Sequence, residues 1–185
     1  MQSDKFTALV RNAIGAAQSA ALAANHQKLT AEHVLAALLK DDNMTVKMLL
    51  AKAGADSASL SALLKAGLDK FPQVTGSGAG QLQLDADLAR IFAAVEAEAK
   101  ARHDQFIAVD LLLLAMTKST GSLGKILKKA GVEPAPLGAA IDEMRKGRTA
   151  DSDAAEDSYD ALSRYTSDLT EAARNGKLDP VIGRD

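Results

Sequence analysis

A shift of 77 positions lays residues 24–64 over residues 101–141 without a gap, and this internal repeat constrains the fold more than any other feature. Eleven of the 41 aligned pairs are identical, among them His26/His103, Leu35/Leu112, Leu50/Leu127, Gly54/Gly131 and Leu60/Leu137. Five of the eleven are alanine pairs, which an alanine-rich chain produces by chance, so the matching of element boundaries weighs more. Both halves read as a long alanine-rich helix, a turn containing histidine, an apolar helix, and a short helix ending Lys-Ala-Gly, with a fourth helix closing each copy. Two copies make a duplicated four-helix unit and not a solenoid, which needs three or more.

Composition supports helices throughout. Alanine fills 37 of the 185 positions and is the best helix former, because it loses no side-chain entropy on ordering. Aromatic residues, which strands favour, make up only 3%, so an all-β fold is excluded. In the first helix Phe6, Leu9, Val10, Ala13, Ile14, Ala17 and Ala21 recur at three and four residues, with Ser3 or Asp4 ahead of them as a cap. Thr30 is placed to cap the second, Ser57 opens the fourth, and Asp85 caps the first helix of the second copy, which carries Leu88, Ile91, Phe92 and Val95. Val109 to Met116 is apolar nearly all round, the mark of a helix buried on most sides. The expected fold is therefore all-α, a pseudo-twofold bundle of two four-helix repeats followed by a linker and one extra helix.

The domain reading places one domain at 1–147, with repeat one at 1–71, a flexible glycine-rich connector at 72–83 and repeat two at 84–147. Residues 148–157 read as an acidic solvated linker, since Asp151, Asp153, Glu156 and Asp157 stand there without a base beyond Arg148. Residues 158–185 read as a linker helix and the entry to a further domain cut short.

Chemistry is excluded class by class. There is no cysteine, hence no disulfide scaffold and no thiolate metal site, which fits a reducing cytoplasm. His26, His33 and His103 read as turn and surface residues, with His26 and His103 at equivalent turns, so no metal is expected. The net charge of −2 gives no polyelectrolyte drive toward nucleic acid, and no apolar run is long enough to span a membrane. Gly121-Ser-Leu-Gly124-Lys125 is too short for a phosphate-binding loop and reads as a turn into a helix. No nucleophile elbow is present either. What remains is an interaction module, with a small stand-alone helical enzyme as the alternative from another class.

Four segments in order carry a resemblance. Thr30-Ala-Glu-His-Val-Leu-Ala-Ala-Leu-Leu39, a degenerate second copy from Ile107, Phe71-Pro-Gln-Val-x-Gly-x-Gly, and Tyr165 to Asp185 with its Asn-Gly-Lys-Leu-Asp-Pro-Val-Ile-Gly-Arg-Asp ending together resemble the N-terminal region of the Clp family of AAA+ unfoldases, in its disaggregase branch. The resemblance implies a cytoplasmic chaperone domain that engages unfolded or aggregated polypeptide and passes it to an ATPase ring. It implies no catalysis and no cofactor in this segment, with ATP and magnesium belonging to ATPase domains elsewhere in a hexameric protein, while the segment itself is monomeric. Cooperation with the DnaK chaperone system is a further expectation. The alternative is the adaptor-docking domain of a protease-coupled relative. By position, the resemblance puts a shallow apolar client groove at Phe92, Ala94, Val95, Glu98 and Leu111, with polar contributions from Ser3, Asp104 and Asp110. Ala94 and Glu98 depart from relatives, which carry larger apolar residues there.

Overall fold

Residues 3–40, 44–75 and 82–159 are described by a computed structural model. A 3-10 turn, Ser3–Lys5, leads into the first repeat: α1 (Ala8–Ala23), β1 (Lys28–Leu29), α2 (Ala31–Lys40), α3 (Met44–Lys52) and α4 (Ser57–Leu68). The second repeat follows as β2 (Gln83–Leu84), α5 (Ala86–Ala101), α6 (Val109–Thr117), α7 (Ser122–Lys129) and α8 (Pro134–Arg145). The described residues thus form an all-α bundle of two four-helix repeats, joined through two short strands.

The repeat register differs from the gapless alignment in one respect. α1 and α5, and likewise the starts of α2 and α6, stand 78 residues apart, whereas Gly54/Gly131 and both ends of α4 and α8 keep the offset of 77. The extra residue sits in α3, which has nine residues against eight in α7. His103 therefore matches Asn25, not His26. Both have positive φ, 62° and 55°, because the chain reverses there through the left-handed region after its long helix. Glu32, likewise, matches Asp110, and His33 matches Leu111.

The core is continuous across both repeats. The small residues Ala13, Ala17 and Ala21 are buried along one stripe of α1, and the fully buried Val34, Leu35 and Leu38 of α2 pack in the same core. α6 is buried from Val109 to Met116, as its all-round apolar sequence requires. α3 packs on α6 and α8, and α4 on α7, which joins the repeats on one side. On the other side, β1 pairs in parallel with β2, Lys28 opposite Gln83 and Leu29 opposite Leu84, while Phe6 bridges Ile107 in parallel. In the 78-residue register these are the same contact made twice, because Phe6 corresponds to Leu84 and Leu29 to Ile107. Each repeat lends the segment before its first helix to the segment before the other repeat's second helix.

Caps come partly from where the sequence places them and partly from elsewhere. Asp85 accepts from Asp87 N–H, and α4 is capped by Asp56, which accepts from Ala58 and Ser59 N–H, one residue ahead of the expected opening. Thr30 is engaged differently, since its N–H donates to His33 Nδ1 at 3.2 Å, and its hydroxyl lies 3.0 Å from the same nitrogen. Thr7 and Ala108, at the heads of α1 and α6, make no side-chain cap.

The acidic stretch supplies what those two helices lack, and here the expectation of a solvated linker at 148–157 is corrected. Ala150, Ala155, Glu156 and Tyr159 are all buried, and residues 155–159 form a helical turn. Ala8 N–H donates to Asp153 O at 2.9 Å, closing the head of α1, and Arg11 pairs with Asp153 at 2.9 Å. Val109 N–H donates to Glu156 Oε1 at 2.9 Å, closing the head of α6. The acidic composition hid this because some of its carboxylates satisfy helix N–H groups and arginines rather than water. The connector begins anchored too, since Gln73 bridges His26 and Val74 N–H donates to Asn25 O. Residues 76–81 of the connector and the expected helix beyond Tyr159 lie outside the described residues.

Candidate functional site: an apolar cleft between the repeats

Where Phe6 crosses to Ile107, the surface opens into a cleft of about 320 Å³ lined by Lys5, Phe6, Leu84, Ala89, Phe92, Ala93, Glu96 and Ile107. Its residues come from four places: the segment ahead of α1, β2, the outer face of α5, and the turn before α6. Phe6 and Phe92 meet edge to face, with ring centroids 5.5 Å apart at 62°, an arrangement aromatic rings prefer because positive edges meet negative faces. Those rings and Ile107 are largely buried and form a floor, whereas Leu84 is 48% exposed and stands at the rim. Ala89 and Ala93 leave one wall low, since neither side chain extends past its Cβ. One edge carries the Lys5–Glu96 ion pair at 2.8 Å, in which the lysine's hydrogen bond and charge hold the Glu96 carboxyl below its ordinary range. The cleft offers apolar contact with a charge-compensated rim, and no arrangement of nucleophile and base.

A buried polar cluster joins α8 to the turn after α5 and the head of α6. Arg145 of α8 binds Asp110 through Nε and Nη2 at 2.5 and 2.8 Å, and Asp104 through Nη1 at 2.7 Å. Burial opposes the guanidinium charge, but the two carboxylates outweigh it and hold Arg145 firmly protonated. Tyr159 lies against this pair, with Arg145 and Arg148 5.7 and 5.3 Å from its ring centroid. Burial raises its phenol to about 12, and its hydroxyl has no hydrogen-bond partner among the described residues. Glu156 accepts from the Thr7 hydroxyl at 2.6 Å as well as from Val109 N–H, and its burial pushes the carboxyl upward.

Of the eight residues placed by resemblance, Phe92 alone lines the cleft. Val95 and Leu111 are fully buried, and Ala94 is exposed on α5 but does not face the cleft. Glu98 is held by Arg102 at 3.0 Å and lies 3.9 Å from Lys118. Asp104 and Asp110 are committed to Arg145, and Asp104 also accepts from Ala150 N–H. Ser3 lies in the 3-10 turn, two residues ahead of Lys5. The sequence does not single out Leu84 or Ile107, although one signal was present: an apolar residue stands two positions before α1, β2's helix α5, α2 and α6 alike. Nothing in the sequence separates Glu156 from its acidic neighbours.

The histidines do not converge on a metal. His26 Nδ1 and His33 Nε2 are 2.9 Å apart under the Phe71 ring, both buried, so the surface reading given to them is corrected. Among the described residues no group of three or more potential ligands gathers, and no helix is long and apolar enough to cross a membrane.

The match to known proteins agrees with this geometry. Residues 5–163 match the family model described as the Clp repeat (R) N-terminal domain. The chain is 47% identical over 186 residues to the chaperone protein ClpB of Rhodopseudomonas palustris and 37% identical over 185 residues to that of Rickettsia typhi. In both comparisons all of this chain is covered, yet it spans only about a fifth of those relatives' length, 21% and 22%. The Hsp104 N-terminal domain from Candida albicans superimposes with a TM-score of 0.73 at 21% identity, covering 82% of this chain and 99% of that one. The ClpV1 N-terminal domain from E. coli does so with 0.63 at 21% identity, covering 74% and 83%. The duplicated four-helix bundle with its crossed entry segments thus belongs to the Clp repeat N-terminal domain family, and matches the N-terminal region of ClpB chaperones.

Proposed function

We propose that this chain is the polypeptide-engaging domain of an ATP-driven disaggregase, binding unfolded or aggregated segments weakly in the cleft between its repeats and releasing them to an ATPase ring. The observation that carries this reading is the open apolar floor of Phe6, Phe92 and Ile107 with Leu84 at its rim. Relatives matched over this chain's whole length are ClpB chaperones, which supports the same reading. Each apolar side chain buried in the cleft contributes roughly 1.5–3 kcal/mol at most. Two such chains sum to about 3–6 kcal/mol, so after the cost of ordering a flexible client the affinity is about millimolar. Weak binding indifferent to sequence suits a domain that must hand its client on. In the whole protein we place ATP, magnesium, hexamer formation and cooperation with DnaK outside this domain, with residues 1–147 as its body.

The test is an NMR titration of the 185-residue chain with carboxymethylated casein. Shifts should concentrate on Phe6, Leu84, Phe92 and Ile107. An unperturbed cleft at millimolar polypeptide would sink the proposal, and a single folded partner captured at submicromolar affinity would favour adaptor docking instead.

A further inference from the structure

We propose that the folded-back segment 150–159 is a latch that keeps the cleft formed, with Glu156 as its positioning residue; the binding arm of the argument rests on the function proposed above. The cleft's inner wall is the segment Lys5–Phe6, which precedes α1 and has no helix of its own beyond the 3-10 turn. It is tied to the second repeat by Thr7 N–H on Ile107 O at 3.2 Å and Ile107 N–H on Lys5 O at 2.7 Å. The latch fastens both sides of that crossing. Glu156 Oε1 takes the Thr7 hydroxyl from one strand and Val109 N–H from the other, at 2.6 and 2.9 Å, with the carboxylate only 2% exposed. Asp153 adds Ala8 N–H and Arg11, and Arg11 also donates to Phe6 O at 2.5 Å. Ala150 O accepts from Gln105 and Phe106 N–H, just before Ile107. The latch therefore grips the residues flanking Phe6 and Ile107 without touching the cleft. Undocking it removes the caps from α1 and α6 together and frees the wall on which Phe6 stands. A client meeting a loosened wall must order it on binding, so docking of the latch and occupancy of the cleft reinforce each other.

Hydrogen exchange on the 185-residue chain tests this with Glu156→Ala and Glu156→Gln. The alanine variant should speed exchange of the Thr7 and Ile107 amides by about tenfold or more, the effect of losing a buried hydrogen bond to a carboxylate. The Leu64 and Leu127 amides should stay protected. Glutamine keeps an oxygen at Oε1 for both donors and should restore the wild-type pattern. Binding of carboxymethylated casein should weaken with the alanine variant and recover with glutamine. If Glu156→Ala unfolds the whole domain, Thr7→Val decides, because it removes one hydroxyl and leaves the Glu156–Val109 bond in place; faster exchange at Ile107 is expected there too. Faster exchange confined to residues 150–159, with Thr7 and Ile107 unchanged, would overturn the proposal. If casein binds none of the variants, the functional reading fails while the exchange result still judges the latch.

Discussion

His33 is held in the neutral state by a backbone neighbour that can only donate. The Thr30 N–H points at Nδ1, which leaves the proton on Nε2, facing His26 Nδ1. A second proton would meet the Thr30 N–H. Burial lowers the pKa first, the neighbouring His26 lowers it further, and the result is about 4 against an ordinary 6.5. The unfolded chain therefore binds a proton that the folded chain refuses, and His33 removes stability as the pH falls from about 6.5 to about 4. His33→Gln, which keeps an acceptor for Thr30, should flatten that part of the profile; urea unfolding of both proteins at pH 7 and pH 5 measures the difference. Gly124 makes a second case at this scale. A Cβ there would lie 2.0 Å from the Ser119 carbonyl oxygen, a backbone atom that cannot swing away. Gly124→Ala should cost about 1–3 kcal/mol, read by thermal unfolding, because the loop before α7 must shift. The glycine in that phosphate-loop-like string serves close packing.

At the scale of elements, α8 is joined to the turn after α5 and the head of α6 by buried charge. Arg145 neutralises two carboxylates from the turn after α5 and the first turn of α6, so Arg145→Met should destabilise the domain by about 3–5 kcal/mol, since it strands Asp104 and Asp110 in the interior. Chemical denaturation would show it, and Asp110→Asn in the same background should recover part of the loss, because one stranded charge goes with it. Helix positions were legible in the sequence because a 3.6-residue apolar stripe and its caps are local, and α4 through Leu60 and Leu64 or α5 through Leu88 to Val95 fall where periodicity places them. The acidic segment was not legible. Whether Glu156 meets water or the heads of two helices depends on groups nearly 150 positions away, Thr7 among them. The slip of one residue between repeats escaped for a related reason, since identities at Gly54 and Leu60 fixed the alignment while the backbone turns at Asn25 and His103 obeyed another register.

For the molecule as a whole, the crossed entry segments create the cleft, and Leu84 offers the cleanest probe of it. That side chain is nearly half exposed, so Leu84→Ser should leave unfolding within about 0.5 kcal/mol of wild type. It should still weaken casein binding measurably by fluorescence anisotropy, because only the bound state buries it fully. Unchanged binding would place the client elsewhere on the domain.

By itself, the sequence determined the class of fold, the eight α-helices of the described residues and the duplication, since each is written in neighbouring residues or in their repetition. Tertiary structure alone decided which apolar residues would floor a cleft and which would vanish beneath it. Phe92 and Val95 share one helical stripe, yet one borders the opening and the other is sealed, because the second repeat lends its turn to the first at Phe6 and Ile107. A helix's own periodicity says which face turns inward, but the depth of each residue on that face is set by the partner that covers it.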